Sequence, residues 1–362
     1  MSPRLIVPSA HVNALGLVQS ARTVGWSAPI VCLQSKPGQN TICGRFPEQC
    51  DTVYLPLRQP ADLGPSLRAR YPDDHMTVLM TDERYLGVLA GQTGFSTVRG
   101  AGAALDTVVR KDAFYAFVRE HEFAATPRVC DSRSDPWSFF DGPFRTHVWR
   151  SWAGTTKLPR GRLVSDRADL ESWRRDVLAA ELAASDWGYV EHLGTKVIHN
   201  VSVCGWWDKD HDILTVTRRR AVANGIGWWV ERIDDPAYLK GITRRILAAL
   251  DYCGPFELEF MWDRRDDAFR VIELNPRFWM QHLLVNVACD HALTRLALGM
   301  PLSGQTLAHR PRHWLQPDVL ATRPWSAISA LPNAVLAYPP RHVVSAAVGR
   351  LKARVGAGRG AR

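Results

Sequence analysis

Between Gly254 and Gln281 the chain reads GPFELEFMWDRRDDAFRVIELNPRFWMQ, and its acidic residues are spaced for metal chemistry. Phe256, Leu258 and Phe260 alternate with Glu257 and Glu259, and Val271, Glu273 and Asn275 repeat the period of two expected of strands. Asp263 to Asp267 is charged and free of leucine-like residues, which predicts a turn joining the two runs into a hairpin. If the hairpin is symmetric about Asp266, Glu259 falls opposite Glu273 and Glu257 opposite Asn275. Like charges directly across a ladder repel, so three carboxylates and an amide on one face need a cation between them. Oxygen donors on a rigid pair of strands suit Mg²⁺, a hard ion that normally also takes phosphate oxygens; Mn²⁺ is the alternative. A solvent-facing hairpin with its acids in water is the plain alternative. It leaves unexplained the apolar residues on both strands and the Pro-Arg-Phe-Trp that follows.

Glu259-Phe260, followed by Glu273-Leu274-Asn275-Pro276-Arg277-Phe278-Trp279, resembles the metal-binding end of the ATP-grasp enzymes, in their carboxylate–amine ligase-like branch. The resemblance implies that Glu259 and Glu273 hold Mg²⁺ bridging the ATP phosphates and that Asn275 completes a second metal. Arg277 would meet the phosphoryl group or the substrate carboxylate. The likeness is specific over Gly254 to Gln281 and loose over Leu5 to Gly299.

Several elements must position these groups. Leu5–Val7 and Ile30–Leu33 are short apolar runs flanking a helix over Asn13–Val24, a β-α-β opening that predicts a parallel sheet. Asp51–Leu55 and Thr77–Met80 read as further strands, with a helical stretch near Leu63–Arg70. No Gly-x-Gly-x-x-Gly follows the first strand, so dinucleotide binding is not supported. Asp106–Glu120 reads as one helix, with Val109, Phe114, Phe117 and Val118 at helical spacing. The resemblance makes Lys111 a lysine that reaches the ATP phosphates; chemistry alone would leave it an exposed helix lysine. Pro143–Val164 is expected to be a strand–loop–strand lid, with Arg150 standing where the family usually has a second lysine and Gly154-Thr155-Thr156-Lys157 able to set backbone N–H groups around phosphates. Arginine keeps the charge but grips phosphate as a fork, so the exchange is not neutral. Trp187–Lys196 resembles the hinge that holds adenine: Glu191 would take the exocyclic amine, and the backbone of His192 or Leu193 the ring edge. Read as residues alone, Glu191 is a surface acid at a strand end. Ile213–Arg220 is a strand ending in three arginines. Arg220 is the expected phosphate-facing one, although alternation leaves open which of Arg218, Arg219 and Arg220 meets the nucleotide.

The 362 residues suffice for two or three domains. The expected class is α/β with an α+β lid: a Rossmann-like pre-ATP-grasp domain (1–105), a lid (106–190), a core with the metal hairpin (191–304), and an extension (305–362) with a basic, disordered end. At 46% hydrophobic and 22% charged the chain is globular, and no run approaches the roughly 18 apolar residues that span a bilayer. The N-terminus lacks a charged region leading into a long apolar stretch, and seven scattered cysteines suggest reduced thiols, so a cytoplasmic protein is expected. Cys43 and Cys50 fit no zinc spacing. The net charge of +9 fits an anionic partner, but no nucleic-acid module is visible. Fourteen tryptophans are expected mainly in cores, with Trp228, beside a glycine-rich loop, a candidate for a substrate pocket.

The function this implies is ATP-dependent ligation of a small-molecule carboxylate to an amine through an acyl phosphate, with ATP and Mg²⁺. A homodimer is an open alternative to a monomer. A degenerate nucleotide-binding module without ligation is the second reading, and a basic surface protein using the tail from Arg341 is the third.

Overall fold

The computed structural model describes residues 2–98, 100–149, 161–194, 200–223, 226–233, 236–304, 311–316, 319 and 324–337. β1 (Ser2–Val7), α1 (Val12–Thr23), β2 (Ile30–Gln34), β3 (Asp51–Tyr54), α2 (Leu63–Arg70), β4 (Asp74–Val78) and β5 (Phe95–Thr97) open the chain. The five strands pair in parallel, in the order β3-β2-β1-β4-β5. Leu5, Ile6 and Val7 are all fully buried, as a continuous apolar run is when both faces of a parallel sheet are covered.

The helix expected over Asp106–Glu120 is broken. α3 (Leu105–Val109) ends at Arg110, whose extended backbone (φ −104°, ψ 117°) precedes α4 (Lys111–Glu120). The Arg110 guanidinium holds Asp112 at 2.7 Å. Lys111 therefore starts a helix instead of riding midway along one.

β6 (Val129–Asp131), α5 (Pro136–Phe139), β7 (Phe144–Val148), β8 (Gly161–Val164), α6 (Arg167–Ala179) and β9 (Trp187–Glu191) build a small antiparallel sheet in the order β6-β9-β7-β8. Trp173, Trp187, Tyr189 and Phe144 fill its own core. β7 and β8 are the two expected lid strands. Arg150 and Lys157 lie outside the described residues.

The third sheet carries the acidic hairpin. It comprises β10 (Asn200–Trp207), β11 (Asp212–Ala223), β12 (Ile226–Arg232), β13 (Gly254–Asp263) and β14 (Ala268–Asn275), with α7 (Ala237–Ala249) packed on it and α8 (His282–Ala288) and α9 (Ala292–Ala297) following. Val108, Phe114, Tyr115 and Val118 of α3 and α4 share a core with Leu258, Phe260 and Val271, so Lys111 rides on this sheet. Gly254 begins β13 at φ +137°, where a Cβ would come within 2.4 Å of Val98, so a side chain there would push the hairpin off the N-terminal segment. Part of the expected extension belongs to this sheet: β15 (His313–Leu315) and β16 (Ala334–Leu336), with α10 (Pro324–Ala330) between them, complete a seven-stranded order β14-β13-β10-β11-β12-β15-β16. Trp314 and Leu315 are buried there. Trp228 is partly buried and packs against the apolar cluster of Trp229 and Leu315. No helix among the described residues is long and apolar enough to cross a membrane.

Candidate active site

The hairpin register puts Glu259 opposite Glu273 and Glu257 opposite Asn275, as the sequence pattern predicts. It does so through an irregularity the pattern did not contain. Phe260 pairs with Val271, so Ile272 is an extra residue in β14, a bulge. Strict alternation would have put Val271 on the face of Glu273. The bulge turns Val271 into the core beside Phe260 and keeps Glu273 and Asn275 with the acids.

The same face extends across two more strands. Glu259 pairs with Ser202 of β10, and Ser202 pairs with Thr217 of β11, so Thr217 and, two residues on, Arg219 share the acidic face. The Arg219 guanidinium pairs with Glu259. Arg218 and Arg220 turn the other way and share Glu231, at 3.0 and 3.1 Å. The arginine on the acidic face is thus Arg219, and the expectation for Arg220 is corrected by the pairing of β10 and β11.

From the opposite side, Lys111 Nζ stands 2.9 Å from Glu273 Oε2. Asn275 Nδ2 donates to Glu257 at 3.1 Å and Asn200 Nδ2 to Glu259 at 3.4 Å. Glu257, Glu259 and Asn275 are 6–7% exposed. Burial, then the charge of Glu259, pushes Glu257 up to about 8; Glu259 is also raised, by burial first, with Arg219 opposing. Lys111 is half-buried, and that desolvation favours losing its proton, but Glu273, Tyr115 and Glu259 hold it charged above the usual lysine range. The donors fit a hard divalent cation. Three carboxylates crowd one face, and the Asn200 Oδ1 beside them is buried with no donor among the described residues.

Arg277 is half-buried at the end of the hairpin. Its Nη2 meets Glu83 at 2.8 Å, which links the hairpin to the loop after β4, and its Nη1 donates to the Phe278 carbonyl at 3.2 Å. Glu83, Lys111, Glu273 and Asn275 line one small cleft with His147 and Trp149 of the lid sheet.

Glu191 departs from its expected role. It is 7% exposed, not a surface acid, and both carboxylate oxygens are engaged. The Arg128 backbone N–H is at 3.0 Å, its Nε at 3.2 Å, and Arg265 Nη1, from the hairpin tip, at 2.8 Å. Burial alone would raise Glu191; these donors and charges pull it below the ordinary range. The side chain therefore clamps the strand end to the hairpin tip. His192 is half-buried, its N–H donating to the Pro143 carbonyl at 3.3 Å, and burial and Arg145 lower its pKa. Leu193 is buried next to it.

Sequence reasoning left Arg219 undecided among three arginines, and it missed Asn200, Glu83 and the Arg128–Glu191–Arg265 clamp. It also missed that Cys32, Cys43 and Cys50 gather in the N-terminal core with their sulfurs within 4.8 Å of one another.

No family model matches the sequence, and no curated protein matches it. Solved structures share its fold. A pyruvate carboxylase from Rhizobium etli, with the activator acetyl coenzyme A, aligns at TM-score 0.62 and 15% identity over 86% of this chain. This chain spans only 30% of that enzyme. An N5-carboxyaminoimidazole ribonucleotide synthetase in its ADP complex aligns at 0.60 and 16% identity, covering 85% of this chain and 81% of that one. The biotin carboxylase domain of the Hydrogenobacter thermophilus 2-oxoglutarate carboxylase, bound to MgADP, ADP and bicarbonate, aligns at 0.62 and 11% identity over 84% and 70%. With the three sheets and the acidic hairpin, these likenesses define the class: the chain has the ATP-grasp fold.

Proposed function

We propose that this protein is an ATP-dependent carboxylate–amine ligase. The observation that carries the reading is Glu257, Glu259, Glu273 and Asn275 converging on one sheet face with Lys111 and Arg219 set against them. A carboxylate is a poor electrophile because its leaving group would be oxide. Transfer of the γ-phosphoryl group to a carboxylate oxygen, with ADP leaving, makes an acyl phosphate. An amine then attacks the carbonyl carbon, phosphate departs with the C–O bond electrons, and the nitrogen loses a proton to give the amide. Such transfer needs positioning and charge neutralisation more than an acid–base pair. That matches a site of carboxylates, an amide, a lysine and arginines.

Glu259, Glu273 and Asn275 would hold Mg²⁺, with Mn²⁺ as a substitute, and Glu257 supports them through its bond to Asn275. When bound, the metal would supply charge neutralisation at the phosphate oxygens. Lys111, now paired with Glu273, would swing to a phosphate, and Arg277 would meet the phosphoryl group or the substrate carboxylate. Arg150 and Lys157 are proposed as further ATP contacts, with the backbone of His192 and Leu193 at the adenine edge. We also propose the division into residues 1–105, 106–190, 191–304 and 305–362 as functional units, and a homodimer as the assembly to test.

One observation favours the second reading, a nucleotide-binding module without ligation. Arg219 already pairs with Glu259 and Lys111 with Glu273, so much of the acidic charge is balanced internally. Two measurements separate the readings. Mg·ATP should bind more tightly than ATP in chelator; equal affinity removes the metal site. Glu273→Gln should lower ATP turnover on a pool of carboxylates and amines at least about a hundredfold, as for loss of a preorganised electrostatic group. Wild-type protein that binds Mg·ATP but turns over no pool is the binding module.

A further inference from the structure

A cavity of about 350 Å³ lies where the loops after β4 and β5 meet the end of the acidic hairpin. Its walls are apolar, with Met80, Leu86, Leu89, Leu105 and Phe278 prominent, and Arg277 is the single charged residue lining it among the described residues. Two nitrogens of that guanidinium are engaged, by Glu83 and by the Phe278 carbonyl. The third, Nε, is buried and donates to nothing among the described residues. An N–H held out of water without an acceptor is unfavourable, so the position favours a ligand oxygen. Pro276 lines both this cavity and the cleft of Lys111, Glu273 and Asn275, so an anion on Arg277 sits beside the phosphate-binding groups. Whatever is attached to that anion must lie against the apolar walls. A second charge there would have no partner.

Resting on the ligase reading above, we propose that the acid activated here is an apolar monocarboxylate, an aliphatic or aryl acid whose carboxylate pairs with the Arg277 guanidinium and whose tail fills this cavity. The volume falls within the range of small-molecule pockets. The apolar lining selects against amino-acid and dicarboxylate side chains, because their charged groups would lose water without gaining a partner.

The test is calorimetric titration of the full chain, without nucleotide, using acetate, butyrate, hexanoate and octanoate, with glutarate as the doubly charged control. Mg·ATP is titrated separately. Affinity should rise by up to about fourfold per methylene, the equivalent of about 0.8 kcal/mol, until the cavity is full, and glutarate should bind no better than acetate. Leu86→Trp puts an indole into the cavity from a half-buried position, so it should abolish the gain with chain length while Mg·ATP affinity shows that the variant is folded. Arg277→Lys keeps a charge but lacks the Nε–H, and should weaken every acid by a similar factor. Affinity that is flat with chain length, glutarate binding as well as hexanoate, or a gain with length that survives Leu86→Trp overturns the proposal. The outcomes separate the two claims. Chain-length selectivity without Mg·ATP binding keeps the apolar site and removes the ligase reading; Mg·ATP binding with a flat series does the reverse.

Discussion

Replacing Arg219 by methionine tests the electrostatic design of the acidic face. The Arg219 side chain is 14% exposed and Glu259 8%, so their ion pair is largely out of water. Removing one member of such a pair strands the other, at a cost of about 3–5 kcal/mol. Glu259 has a way to relieve that cost, which is to take a proton. Its pKa is already raised by burial, and without Arg219 it rises further above its unfolded value. A group raised on folding contributes stability below its unfolded pKa and loses it as pH climbs through the folded one. The deficit of Arg219→Met should therefore be largest near pH 8 and shrink by roughly 1.4 kcal/mol per pKa unit of added shift toward pH 5. A divalent cation offers a second remedy. Ligands that bind only the folded state stabilise it by mass action, so MgCl₂ should restore Arg219→Met more than it raises wild type. Arg220→Met is the matched control. Arg220 is 45% exposed on its side chain, and Glu231 keeps Arg218 as a partner, so the loss should stay within about 1 kcal/mol. Urea unfolding of the three proteins in chelator and in MgCl₂, at about pH 8 and about pH 5.5, reads every term. If Arg219→Met costs no more than Arg220→Met, or its deficit grows on acidification, the assignment of Arg219 to the acidic face is wrong.

Two further outcomes follow from other parts of the molecule. His282 is buried with Nδ1 2.7 Å from the Trp279 carbonyl, and burial pushes its pKa down to about 4. Above roughly pH 6.5 both states are neutral; between there and about 4 the unfolded chain takes up a proton that the folded chain refuses. His282 alone should cost wild type roughly 3 kcal/mol over that window, read as the difference between the wild-type and His282→Gln pH profiles in a chemical-denaturation series, because the raised Glu257 and Glu259 act the other way. In the lid, Arg150→Ala should weaken ATP binding by about 1.5–3 kcal/mol and Arg150→Lys should largely preserve it, by equilibrium titration. Unchanged binding in Arg150→Ala would pass the phosphate contact to Lys157.

What the sequence made legible is what has a local cause. The hairpin could be placed because a strand with one buried face tolerates no slip of register: Phe256, Leu258 and Phe260 must enter the core, so Glu257 and Glu259 must leave it. The parallel opening was readable from its unbroken apolar runs for the same reason. Residues placed by distant partners were not readable. Nothing near Glu191 announces Arg265, which reaches it across 74 positions of chain. Three consecutive arginines look alike until β11 is registered on β10 and β10 on β13, and only then does Arg219 fall on the face of Glu259. The bulge at Ile272 shows the same limit within the hairpin, since the residue count about Asp266 came out right only because an extra residue offset a shorter turn. This has a physical consequence. A one-residue slip of β11 would exchange Arg219 for Arg218 or Arg220 on the acidic face and carry Val216 out of the core. The buried Val216 and Val203 pair therefore protects the charge pattern of the site without touching it.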